Sequence, residues 1–81
     1  MSLEGKVAVV TGSGRGLGLA YAKELARRGA AVVVNDVDAD AAADAVAAIE
    51  AAGGRAVPVA APVGPTETAR ELVRTAVDTF G

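Results

Sequence analysis

Histidine and cysteine are both absent from this chain. Without cysteine there is no disulfide, no thiolate metal site and no thiol nucleophile. Without histidine the commonest metal ligand and general base is gone, and a histidine-dependent catalytic triad is excluded. Tryptophan is missing too, and the aromatics come down to one Phe and one Tyr. Because hydrophobic residues still make up 52% of the sequence, Val, Leu, Ile and abundant Ala must fill the interior. Helices built from Ala are narrow and can lie close against a sheet.

No block of one charge occurs either: eight Lys and Arg stand against ten Asp and Glu, a formal net charge of -2. That balance argues against nucleic acid as a partner. The opening apolar run, Val7 to Val10, is far shorter than the core of a signal peptide or the ~20 residues of a membrane span. The sequence therefore predicts no membrane association and places the chain in the cytoplasm. Its 81 residues fall below the roughly 100 to 200 of an ordinary domain, so residues 1–81 are expected to form one small or partial domain.

What is present is an alternation of apolar runs and helical periodicities. Val7-Ala8-Val9-Val10 resembles a strand buried on both faces of a parallel sheet. After a glycine-rich stretch, Gly18, Ala22, Leu25, Ala26 and Gly29 recur at helical spacing, with Lys23, Glu24, Arg27 and Arg28 on the other face. Gly29 supplies a helix stop, and Ala31 to Val34 form a second strand ending at Asn35-Asp36. A second helix is expected from about Asp40 to Ala52, capped by Asp38 or Asp40, stopped at Gly53-Gly54, with a core stripe of Ala42, Val46 and Ile49. Arg55 to Ala61 is a third strand candidate, confined to an edge or an irregular position because Pro58 lacks an amide hydrogen, which fits the margin of the sheet. Ala69, Leu72, Val73, Ala76, Val77 and Phe80 mark a third helix, which could start at Gly64, at Thr66 or with a Thr68/Glu71 capping box.

Right-handed crossovers turn this β-α-β-α-β-α order into an α/β fold, a partial Rossmann fold with parallel strands in the spatial order 3-2-1. The first two helices share one face of the sheet and the third crosses to the other. The first strand would then be an exposed apolar edge, which natural proteins avoid. The expectation is a fragment truncated before a fourth strand.

Chemistry concentrates in Thr11-Gly12-Ser13-Gly14-Arg15-Gly16-Leu17-Gly18, at the junction of the first strand and helix. Gly12 can make the tight turn, Gly16 lets the main chain approach a pyrophosphate, and Gly18 lets the helix pack closely on the sheet. The helix starting there aims its free amides at an anion. The spacing departs from Gly-x-Gly-x-x-Gly, with Gly14 as an extra glycine in the variable part. About 20 residues further on, as expected for such a unit, Asp36 can accept hydrogen bonds from the adenosine ribose. Val37 beside it belongs to the same candidate edge. The plainer alternative for Asp36 is a cap on the next helix, a task for which Asp38 and Asp40 are better placed.

These residues resemble the short-chain dehydrogenase/reductase family, whose fingerprint Thr-Gly-x-x-x-Gly-x-Gly is matched by Thr11, Gly12, Gly16 and Gly18. The resemblance extends from Leu3-Glu4-Gly5-Lys6 to Phe80-Gly81, although family members are much longer. It implies an oxidoreductase interconverting an alcohol and a ketone by hydride transfer, with the dinucleotide held by residues 12 to 18, Asp36, Val37 and Val63. An acid at Asp36 implies NAD as the preferred cofactor. Arg15 points toward NADP, because in NADP-dependent relatives an Arg there contacts the additional phosphate; it could equally be solvated or near the pyrophosphate. Pro62-Val63 stands where the family commonly has Asp-Val, so the carboxylate that would hold adenine is missing, and Val63 could serve only to close the strand.

The family's catalytic Ser, Tyr and Lys have no counterpart here. Tyr21 is followed four residues later by Leu25 instead of Lys and is read as structural. No catalytic or metal-binding residue is assigned. The resemblance further suggests a 3-hydroxyacyl thioester dehydrogenase or a 3-oxoacyl carrier-protein reductase, acting as a homo-oligomer of two or four chains on a small-molecule alcohol, ketone or acyl thioester. The contrasting reading is a non-catalytic nucleotide-binding module whose sheet is completed by another chain.

Overall fold

A computed structural model describes residues 2–60 and 66–80, of which 66–69 by the backbone alone. Strand β1 (Val7–Val10) leads to helix α1 (Gly16–Arg27), β2 (Ala31–Asp36), α2 (Ala39–Ala51), β3 (Arg55–Ala60) and α3 (Thr66–Phe80). The strands are parallel, with β2 central. Val7 to Val10 stand beside Ala31 to Val34, and Ala31 to Asp36 beside Arg55 to Ala60. Among the described residues Pro58 lies on a strand paired on one side only, the kind of position where a residue without an amide hydrogen is tolerated.

Alternation along β2 divides the interior in two. Val32 and Val34 pack with Ala22, Ala42, Ala45, Val46 and Ile49 under α1 and α2. Val33 faces the other way, toward Val59 of β3 and Leu72 and Ala76 of α3. The expected stripe of α2 is therefore the buried one, and the Ala positions let α1 and α2 sit against the Val-rich strand; on α3 Leu72 and Ala76 are buried, whereas Val73 and Val77, expected in the same stripe, are exposed. Arg55 adds a cation-π contact, its guanidinium 5.7 Å from the centre of the Phe80 ring, tying the start of β3 to the end of α3.

Helix ends follow from local chemistry. Asp38 caps α2 through Oδ1, which accepts from the amides of Asp40 at 2.9 Å and Ala41 at 3.1 Å. The helix begins at Ala39, one residue before the expected start, because Asp38 is the cap. Both α1 and α2 finish with a paired closing motif: Ala30 N donates to Leu25 O and Gly29 N to Ala26 O, while Gly54 N donates to Ile49 O and Gly53 N to Glu50 O. Helix α3 starts at Thr66, so Thr68 lies within its first turn and the Thr68/Glu71 capping box is not its beginning. Crossover helices of this kind start at the C-terminal end of a strand, so the beginnings of α1 and α2 meet at one end of the sheet.

Candidate functional site

The loop between β1 and α1 bends sharply because Gly12 and Gly16 adopt φ of +60° and +61°, a region that side chains disfavour. No atom lies within 4 Å of where a Cβ at Gly16 would stand. Its outer face is open to an approaching group. Gly14 and Gly18 serve a different need. A Cβ on Gly14 would lie 2.8 Å from both Ala41 Cβ and Asp36 Oδ2, and one on Gly18 would collide with the carbonyl of Gly12. Gly14 is thus required by contact with α2 and Asp36 and is no spare glycine. The close approach that Gly18 permits is to the loop's own backbone, where the sequence suggested the sheet.

Ser13, a candidate cofactor contact by sequence, is turned into the fold. It is wholly buried, as is Asn35. Its amide donates to Asn35 O at 2.8 Å, its Oγ donates to Val10 O at 2.5 Å, and that oxygen accepts from Asn35 N at 3.1 Å. Asn35 Nδ2 in turn donates to Val59 O at 3.0 Å. The serine therefore fastens the loop to β2 through its amide and its hydroxyl, both directed inward. Sequence reasoning missed this, and the available signal was a polar Asn ending an otherwise apolar central strand.

Asp36 ends β2 with 8% of its surface exposed. Its Oδ2 accepts from the Gly14 amide at 3.0 Å and its Oδ1 from the Asp38 amide at 3.0 Å. A carboxylate has about four acceptor positions, so two bonds leave room for further donors. The bond from Gly14 sets the carboxylate directly beside the loop. The plain capping alternative is set aside, since Asp38 performs that task. Val37 is 71% exposed and Leu17 68% exposed, apolar groups presented to solvent on either side of this arrangement in sequence.

Arg15 precedes α1 and provides no side-chain cap for it. The first amides of a helix lack intrahelical acceptors, and their positive dipole end favours an anion. The Arg15 guanidinium reaches across instead to Asp38, Nη2 to Oδ2 at 2.7 Å. The Asp38 carboxyl is held below the usual carboxylate range by the Ala41 amide first and by Arg15 second. Tyr21 is exposed on α1. Val63 and Pro62 lie outside the described residues.

Among the described residues, no group of His, Cys, Asp or Glu is arranged to hold a metal ion, and no helix is long and apolar enough to cross a membrane. A cavity of about 490 Å³, lined by Lys23, Ala26, Arg27, Ile49 and Gly54 among others, lies at the C-terminal ends of α1 and α2. It is remote from the loop, and the loop geometry defines the site.

A parallel α/β sheet with a glycine turn, an open helix start and an acid at the end of the second strand defines a nucleotide-binding α/β protein. The sequence profile of the short chain dehydrogenase family matches residues 6–81, and the chain belongs to that family of oxidoreductases. It is 59% identical over 80 residues to an uncharacterised oxidoreductase of Methylorubrum extorquens, covering 98% of this chain and 32% of that protein. Elsinochrome reductase 1 of Elsinoe fawcettii is 50% identical over 80 residues, covering 98% of this chain and 30% of the reductase. Among solved structures, a 7α-hydroxysteroid dehydrogenase complexed with NADH and 7-oxo glycochenodeoxycholic acid superposes with a TM-score of 0.93 at 36% identity, over 99% of this chain and 31% of that one. The chain thus spans about a third of the length of these relatives.

Proposed function

We propose that residues 1–81 are the opening part of one Rossmann domain and provide the pyrophosphate and adenosine sites of an NAD(P)-dependent alcohol/ketone oxidoreductase that prefers NAD. The observation that carries this reading is the Asp36 carboxylate, held beside the glycine loop by the Gly14 amide at 3.0 Å. The amides of Gly16, Leu17 and Gly18 at the start of α1 and the open space over Gly16 fit a pyrophosphate, while the Gly14 amide is committed to Asp36. Asp36 would accept from the ribose hydroxyls and repel a 2'-phosphate, while Leu17 and Val37 offer apolar surface to the adenosine. A nicotinamide dinucleotide so held supplies or accepts hydride; the serine, tyrosine and lysine that act on the substrate belong to sequence outside these residues. The piece alone would bind without turnover.

The similarity to family members acting on 3-hydroxyacyl or 3-oxoacyl thioesters supports that substrate class, and a cytoplasmic homo-oligomer is the expected form. Fluorescence titration of the intact protein with NADH and NADPH tests the reading. Tighter binding of NADH is expected. Replacing Asp36 with Ala is expected to weaken NADH by about tenfold or more, the worth of hydrogen bonds to a charged group, and to narrow the preference over NADPH. Unchanged NADH affinity in that variant would remove Asp36 from the site.

A further inference from the structure

The geometry points to Asp38 as a second determinant of cofactor choice: by holding Arg15, it withholds from a 2'-phosphate the only cation of the glycine loop. This rests on the dinucleotide reading above and extends it to a residue with no expected part in binding.

Five hydrogen bonds make the arrangement. Asp36 accepts the Gly14 amide on one oxygen and the Asp38 amide on the other, both at 3.0 Å. The loop and the start of α2 are thereby brought together over one carboxylate. Asp38 then commits Oδ1 to the amides of Asp40 and Ala41, which fixes the orientation of its side chain. Its Oδ2 is left to receive Arg15 at 2.7 Å. An exposed ion pair ordinarily contributes little because two free side chains must be immobilised. Here the helix cap has already immobilised one of them.

A 2'-phosphate arriving beside Asp36 needs a cation to offset that carboxylate. Arg15 is the sole Lys or Arg between Thr11 and Gly18. To reach the phosphate it would have to leave Asp38, and its departure would leave two carboxylates two residues apart facing the incoming dianion. Asp38 therefore acts twice against NADP, as a competitor for the guanidinium and as a like charge. A ribose 2'-hydroxyl asks for no cation, and the pair stays intact.

Asn is as good a helix cap as Asp, so Asp38→Asn removes the charge while keeping the acceptor for Asp40 and Ala41. Unchanged thermal melting would establish that the fold is kept. In titrations of the intact protein, D38N is expected to raise NADPH affinity relative to NADH by about fivefold, the scale of one partly screened charge. In an Arg15→Ala background the same substitution is expected to change that ratio far less. A D38N ratio equal to that of the unsubstituted protein overturns the proposal, and so does a gain that persists in full without Arg15. Failure of the unsubstituted protein to bind either dinucleotide would overturn the cofactor reading itself, and this inference with it.

Discussion

The two limbs of the glycine loop look alike in sequence and are opposites in the structure. In the inner limb, Ser13 and Gly14 are buried, bonded to Asn35 and Asp36 and pressed against Ala41. In the outer limb, Arg15, Gly16 and Leu17 are exposed, and Gly16 faces empty space. Glycine thus answers two different demands four residues or fewer apart: absence of bulk for packing in one limb, and a left-handed backbone with clear approach in the other. The lesson is that a glycine motif is part anchor and part receptor, and that substitutions in the two parts ought to fail in different ways.

The largest effect expected concerns the anchor. Gly14→Ala forces a Cβ against Ala41 and the Asp36 carboxylate, and overpacking of this kind costs about 2 to 3 kcal/mol of stability. Gly16→Ala meets only the left-handed backbone penalty of roughly 1 to 2 kcal/mol, while its methyl group projects into the space assigned to the pyrophosphate. Denaturant melts paired with NADH titration compare the two. The first variant should lose more stability and the second more affinity per unit of stability lost; equal behaviour would break the distinction between the limbs.

Ser13→Ala sharpens it further. The Asn35 amide would lose its buried acceptor, an expected cost of about 1 to 3 kcal/mol. A melting curve indistinguishable from that of the unsubstituted protein would place Ser13 among the receptor residues instead.

The smallest effect lies away from the loop, in the last turn of α1. Hydrogen bonds from Arg27 first and Arg28 second pull the Glu24 carboxyl down to about 2. A carboxyl lowered by folding stabilises the native state above its ordinary value and loses that contribution as pH falls through the folded one. The stability difference between the unsubstituted protein and Glu24→Gln should therefore be constant near neutrality and vanish as the pH approaches about 2. A difference independent of pH over that range would show that the two arginines contribute by packing alone. Because all three groups are exposed, salt should shrink the effect.

Much of this molecule is legible without coordinates because its local signals agree. The Val run of β2, the Ala42, Val46 and Ile49 stripe, and the glycines after α1 and α2 each have one physical interpretation, and the structure adopts it, whereas β1, expected to be buried on both faces, leaves Val7 and Val9 each 39% exposed. Pro58 marked its edge strand for the same reason. The residues whose surroundings were not legible are those whose partners are distant in sequence. Ser13 in a glycine loop has the look of a solvent-facing residue until Asn35, 22 positions later, is placed beside it. Gly14 seemed incidental because its neighbour Ala41 belongs to another helix. Arg15 was expected at a 2'-phosphate, near the pyrophosphate or in solvent, and its pairing with Asp38 had no sequence signal.

The common direction of α1 and α2 has a consequence for kinetics. Their positive ends gather around one lip of the sheet, while Arg27 and Arg28 finish the opposite end of α1. The full charges of Asp36, Asp38 and Asp40 stand at the same lip, so a diffusing polyanion would gain from the helix amides only once it came within reach of them. The orientation of whole helices would then govern how long the anion is held more than how fast it arrives.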